Sequence, residues 1–201
     1  MDTIENPHAW ETRDWPDAGL LSYSVLVGSD GDTLLHYSQW TGEEAYEDFF
    51  RTHRDDRNAE IDAAVPGIER VGLRRLAPPF RTTVYGDGVA DGADAAEAVP
   101  GCVAAVLVEV GPEGPEALAD ALEAGGAGGA GVAGGQGGGA GGGRIAAYAH
   151  LTTDGTHLFH YAEWESETAH VCRQAEAGPH PGIADDRTRR YAPALSLSAG
   201  A

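Results

Sequence analysis

The sequence predicts an α+β protein made of two similar units, the second running β-α-β-β-α-β and the first β-β-α-β, and three observations carry that prediction. Leu34 to Tyr46 (Leu-Leu-His-Tyr-Ser-Gln-Trp-Thr-Gly-Glu-Glu-Ala-Tyr) returns 124 positions later as Leu158 to His170 (Leu-Phe-His-Tyr-Ala-Glu-Trp-Glu-Ser-Glu-Thr-Ala-His). Each copy follows an Asp-Gly turn signal, Asp30-Gly31 and Asp154-Gly155, at the same distance. Around both copies the apolar residues alternate as in a strand and then space out as in a helix. A repeat of this kind marks a duplicated structural unit. The 201 residues leave room for a first unit over 1–86, a polar acidic linker over 87–98 and a second unit over 99–201.

His8 to Arg13 ahead of Trp15-Pro16 read as the last turns of a helix running into a proline-ended loop. Leu20 to Val27 is a strand and Thr33 to Trp40 its hairpin partner. A two-residue Asp30-Gly31 loop pairs Ser29 with Asp32, Val25 with His36, Tyr23 with Ser38 and Leu21 with Trp40. Side chains alternate along a strand, so His36, Ser38 and Trp40 share one face with Tyr23 and Val25. Gly42 to about Asn58 is a helix, with Glu43, Glu44 and Glu47 near its positive end and Tyr46, Phe49 and Phe50 on its inner face. Val65-Pro66-Gly67 breaks the chain, Ile68 to Leu76 reads as a strand, and Phe80 to Tyr85 continues it. The first unit thus lacks an opening strand, which would leave backbone groups of a central strand unpaired. The expectation is that the natural reading frame starts roughly 25 residues upstream, or that Phe80 to Tyr85 takes the vacant slot.

In the second unit Cys102 to Val110 is apolar on both faces and reads as a buried strand. Pro115 to Ala124 is a short helix with proline at its start. The insertion 125–143 is almost pure Gly and Ala and reads as flexible coil; it lacks the Lys of a phosphate-binding loop. Arg144 to Leu151 and His157 to Trp164 form the second hairpin, with His160, Ala162 and Trp164 on the face of Ala147 and Ala149. Phe159, Tyr161 and Glu163 share the other face with Tyr148 and His150. Ser166 to Ala175 is the second helix. Pro181 to Pro193 then repeats Pro66 to Pro78 at an offset of 115, closing a ferredoxin-like order.

The net charge of −19 and the absence of any Lys argue against nucleic acid or an anionic membrane surface as partner, since both need a basic face. Met1 to Asn6 carry acids and no apolar run, and no stretch approaches the length of a membrane span, so a cytoplasmic protein is expected. Cys102 and Cys172 lack metal-ligand spacing and read as free, buried structural thiols. His157 and His160 are three apart on a strand and point to opposite faces, so no metal site is expected.

The pattern Leu20-Leu21-Ser22-Tyr23-Ser24, a turn, His36-Tyr37-Ser38-Gln39-Trp40 and Glu43-Glu44-Ala45-Tyr46, with His160-Tyr161-Ala162-Glu163-Trp164 in the second copy, resembles the antibiotic biosynthesis monooxygenase family. That family is a branch of the dimeric α/β-barrel proteins, and the chain is similar to its tandem actinomycete members. The resemblance implies two ferredoxin-like units packed sheet to sheet as an intrachain pseudo-dimer, and it leaves a further homodimer open. It also implies oxidation of a polycyclic phenol or anthrone-type small molecule by molecular oxygen, with neither metal nor flavin. An electron-rich, enolisable substrate supplies its own electrons, and the protein deprotonates it, holds it flat and excludes water.

In that family the functional trio is an amide and a Trp four residues apart, with a Tyr six residues later. Carried over by position these become His36, Trp40 and Tyr46 as catalytic residues, with Tyr23, Ser38, Phe49, His160, Trp164 and His170 in substrate binding. His replaces the amide in both copies and Tyr in the second. A His titrating near neutrality can serve as base toward a phenolic proton. The second copy, with Ala147 for Tyr23 and His170 for Tyr46, reads as a degenerate copy kept for assembly. Heme-degrading relatives need a His ten residues after the Trp, where Phe50 and Gln174 stand, so no heme is expected. The alternatives are a binding or scaffold protein in which both Trp residues are core anchors, and a cofactor-free polyketide cyclase or isomerase.

Overall fold

A computed structural model describes residues 19–85, 99–125, 143–177 and 188–198. The helix turns expected before Trp15, the linker 87–98, nearly all of the insertion 125–143 and the segment 181–187 lie outside them. Among the described residues the order is β1 (Leu20–Gly28), β2 (Leu34–Trp40), α1 (Glu43–Thr52), α2 (Arg54–Ala64), β3 (Arg81–Val84), β4 (Cys102–Glu109), α3 (Gly114–Gly125), β5 (Arg144–Leu151), β6 (His157–Trp164), α4 (Glu167–Ala177) and β7 (Arg189–Ser198). The class is α+β, with antiparallel strands and helices in the alternation expected of a ferredoxin-like chain. These elements fall into two compact units. One holds 19–27, 32–73 and 193–198; the other holds 28–31, 74–85, 99–125, 143–177 and 188–192.

In the second unit the strand order is β7-β4-β6-β5-β3. The central pair is in register over its whole length, from Cys102 opposite Trp164 to Glu109 opposite His157. On the other side of β6, Ala149 lies opposite His160 and Ala147 opposite Ala162, as the Asp154-Gly155 turn predicts. One face carries Cys102, Ala104, Ala147, Ala162 and Trp164 against Ala169 of α4. Farther along it, Val106, Val108, Ala149 and Leu158 pack on Leu118 and Leu122 of α3. Burying branched side chains of this size contributes about 1.5–3 kcal/mol each. The opposite face carries a row of rings, Tyr148, Tyr161, Phe159 and His150, with neighbouring centroids 6.0 to 6.5 Å apart. Ser166 caps α4, its hydroxyl accepting from Ala169 N–H at 3.1 Å. Cys172, expected buried, is exposed; it lies two positions beyond His170, about 200° around the helix from the sheet-facing side.

In the first unit β1 and β2 form the predicted hairpin, with Val25 opposite His36 and Tyr23 opposite Ser38. Two details differ. A bulge after Leu20 puts Leu20, not Leu21, opposite Trp40, and the ladder stops at Val27 and Leu34 rather than reaching Ser29 and Asp32. The expected single helix is broken at His53 into α1 and α2. The Thr52 hydroxyl bonds back to Asp48 C=O at 2.7 Å, a competition for the helical carbonyl that bends helices, and His53 leaves helical geometry.

The expected strand over Ile68 to Leu76 does not form; Leu76 makes an isolated bridge with Thr152. In the second half Arg189 to Tyr191 pair with β4, and among the described residues the first half has no counterpart of β4. Phe80 to Tyr85 does not take the opening-strand slot either: β3 pairs with β5, Arg81 opposite Ala149 through Val84 opposite Ala146. Arg81 also bonds Asp120 and Glu116 of α3, each at 2.6 Å. Reciprocally, the end of β7 neighbours β1, and Ser24 and Ser196 hydroxyls lie 3.2 Å apart. Each unit therefore includes a strand drawn from the other half of the sequence. Among the described residues β2 has one strand neighbour, β1, whereas its repeat counterpart β6 has two.

Candidate functional site

Both copies end a strand on a Trp and follow it with a helix, and the two sets of side chains are directly comparable. In the first unit the structure brings the predicted residues together. Trp40 meets Tyr46 edge-on at 5.7 Å and Phe49 at 5.1 Å between ring centroids. Its indole N–H donates to Ser38 Oγ at 3.0 Å. His36 Nδ1 lies 2.5 Å from the Tyr23 hydroxyl. Lost hydration holds His36 below its usual range and raises Tyr23, with Arg57 acting on both and Arg70 on His36. His36 and Ser38 are exposed and Trp40 half-buried. The polar groups of this copy thus satisfy one another at an open surface.

In the second unit Trp164 meets His170 edge-on at 5.1 Å, the same ring geometry. Here the partners have been removed: Ala147 stands where Tyr23 does and Ala162 where Ser38 does. Arg144 stands at the place of Leu20, opposite Trp164 across the bulge. Its guanidinium carbon lies 4.7 Å from the Trp164 ring centroid and 5.0 Å from that of Tyr85, and its Nη1 donates to Tyr85 Oη at 2.9 Å. Tyr85 follows β3, so a residue of the first half completes this cluster.

Arg144, His160, Trp164 and His170 are only 6%, 5%, 2% and 6% exposed. Arg144 Nε, His160 Nε2, Trp164 Nε1 and His170 Nδ1 are buried without a hydrogen-bond partner. Leaving one such group unsatisfied costs about 1–3 kcal/mol, more for a charged one. Most buried polar groups in native proteins are hydrogen-bonded, which sets these four apart. Burial and then the Arg144 charge push His160 down to about 4. Burial, followed by Arg190 and Arg144, does the same to His170, against a smaller opposing effect of Glu167. Both imidazoles are neutral at pH 7, and Arg144 supplies the positive charge of the cluster.

Sequence reasoning missed Arg144 and Tyr85, although residue-by-residue comparison of the copies singles out the Leu20/Arg144 difference. It also missed a shared backbone device. Gly19 and Gly143, 124 positions apart, both have positive φ (126° and 82°), and a Cβ there would collide with Ala45 and Ala169 respectively. Among the described residues no three His, Cys, Asp or Glu side chains converge as a metal site requires. A cleft of about 290 Å³ lined by Gly28 to Asp30 and Thr188 to Tyr191 contains none of the predicted site residues.

Among solved structures, an anthrone oxidase-like protein superposes with a TM-score of 0.57 and 17% identity, over 100% of this chain and 89% of that one. The fold is shared. A second neighbour, a monooxygenase-type protein from Lactobacillus acidophilus NCFM, gives 0.53 and 12%, over 98% and 86%. No family model and no curated protein matches the chain. No helix among the described residues is long and apolar enough to cross a membrane.

Proposed function

We propose that the chain is a monooxygenase-like protein that oxidises a polycyclic phenol or anthrone-type small molecule without a cofactor, and that the second unit holds the working site. The observation that carries this reading is the unpartnered buried polar atoms of Trp164, of Arg144 and His170 beside it, and of His160 four positions back along β6. Trp164 is the planar wall against which a fused aromatic lies. Neutral His160 takes the proton whose loss makes the substrate electron-rich, and His170 fixes the edge of the Trp ring. The reaction balances as R₂CH₂ + O₂ → R₂C=O + H₂O, with all four electrons coming from the substrate carbon. An imidazole depressed to about 4 is a weaker base than a free one, so the acidity of the enolisable substrate has to carry much of the proton transfer. The halves 1–86 and 99–201 serve as tandem units of an intrachain pseudo-dimer, a reading supported by the reciprocal placement of β3 and the end of β7.

A second reading puts the chemistry on His36, Trp40 and Tyr46, with Tyr23, Ser38 and Phe49 around the substrate. The short His36–Tyr23 contact favours it, because it offers a two-step proton path. Oxygen uptake with a panel of anthrones, run on His160→Ala, Trp164→Phe, His36→Ala and Trp40→Phe, tests both. Loss confined to the first two variants supports the second-unit site, and loss confined to the last two moves the chemistry to the first unit. No uptake by the wild-type chain refutes the oxidation.

A further inference from the structure

Arg144 has no part in the proton and electron steps just described, yet it is the feature that most separates the two copies. A Leu buried to 4% exposure in the first copy becomes an Arg buried to 6% in the second. Arginine stays charged in a protein interior, and its five N–H donors need acceptors. One goes to the neutral hydroxyl of Tyr85, and Nε has no partner. Among the described residues no carboxylate pairs with Arg144, and Glu167 of α4 is taken by Arg190 at 2.8 Å. Among the described residues the cation of Arg144 thus has an aromatic and a hydroxyl partner but no carboxylate. Buried charges in proteins are paired, and an anion brought beside Trp164 would pair this one.

We propose that the second unit binds its ligand as an aromatic anion, with an ionised oxygen on the Nε side of Arg144 and the ring plane against Trp164. This deepens the oxidation reading by naming the charge state of what it takes, and it rests on the same site. The guanidinium, stacked between the rings of Trp164 and Tyr85, is oriented before the ligand arrives. The unpartnered N–H of Trp164 offers a further donor on the residue against which the ligand ring lies. Phenolate and carboxylate share this chemistry.

Equilibrium dialysis of the full chain at neutral pH separates the possibilities. The ligands are 2-naphthoate, 4-nitro-1-naphthol (ionised at that pH) and neutral 2-naphthalenemethanol, each with wild type, Arg144→Met and, as a control for lost charge, Arg51→Gln. At least one anion binds wild type and Arg51→Gln about 30-fold or more tightly than the alcohol, as expected when a buried charge gains its partner. Arg144→Met abolishes the preference. Which anion wins assigns the phenolate or the carboxylate. The proposal is overturned if neither anion binds saturably, if the alcohol binds wild type as well as both anions, or if Arg144→Met keeps the preference. A chain that shows the Arg144-dependent preference but takes up no oxygen refutes the oxidation alone; one that oxidises neutral substrates independently of Arg144 refutes this inference alone.

Discussion

Replacing Arg144 with Met should make the protein more stable. The change keeps the length of the side chain and leaves a polarizable group against Trp164, a favourable sulfur–aromatic arrangement. It forfeits the hydrogen bond to Tyr85 and the stacking on two rings, together about 2–4 kcal/mol. It relieves the burial of a guanidinium that is 6% exposed and has no ion-pair partner among the described residues, a penalty of several kcal/mol. Even a buried ion pair, whose charges offset each other, can be replaced by apolar side chains of similar volume with a change from neutral to a gain of about 1–4 kcal/mol. With the lost contacts set against the relief, we expect a net gain of about 1–3 kcal/mol. Urea unfolding at pH 7 in the absence of ligand should show a higher midpoint with an unchanged slope. A saturating aromatic anion should narrow the difference, because only wild type gains from it. A fall in stability of 1 kcal/mol or more would mean that Arg144 already has a counter-charge, and the argument for an anionic ligand would collapse with it.

Two further expectations concern protons and backbone. His160 is depressed from the usual 6.5 to about 4, so as pH falls the unfolded chain takes up the proton before the folded one does. The stability it contributes is fully present above about pH 6.5 and is lost toward pH 4, on the order of 3 kcal/mol. His160→Gln should flatten the loss measured by urea unfolding between about pH 7 and pH 4.5, and an unchanged slope would deny that the imidazole is buried neutral. Gly143→Ala should cost about 1–3 kcal/mol in thermal unfolding, since it combines a left-handed φ with a collision against Ala169. Gly155→Ala, with φ of 71° and nothing within 4 Å of its Cβ, should cost about 1 kcal/mol, and equal losses at both sites would show that the helix contact is soft.

What the sequence made legible follows from range. The pairing of Val25 with His36 and of Ala149 with His160 is encoded locally, by the Asp-Gly turns and by alternation, and both registers were predicted. The partner of β3 is not encoded locally. Nothing in Arg81-Thr82-Thr83-Val84 states that it belongs beside β5 rather than in its own half, and the preference lies in distant acids such as Asp120 and Glu116. The break at His53 turned on one hydroxyl, that of Thr52, which periodicity does not weigh. At the site, identical letters in the two copies drew attention to His and Trp. The burial and pairing of those groups differ where the letters differ, at Leu20/Arg144, Tyr23/Ala147 and Ser38/Ala162. Those changes look like degeneration as long as a lost hydroxyl is read without asking whose partner it was.

The exchange of terminal strands bears on how such a chain can be cut. A fragment holding only 99–201 would lose β3, the Arg81 bonds to α3 and the Tyr85 hydroxyl at Arg144. A fragment holding only 1–86 would lose the strand beside β1. Neither segment alone therefore carries all the strands of its compact unit, and a cut between the halves would have to be made good by supplying both pieces together.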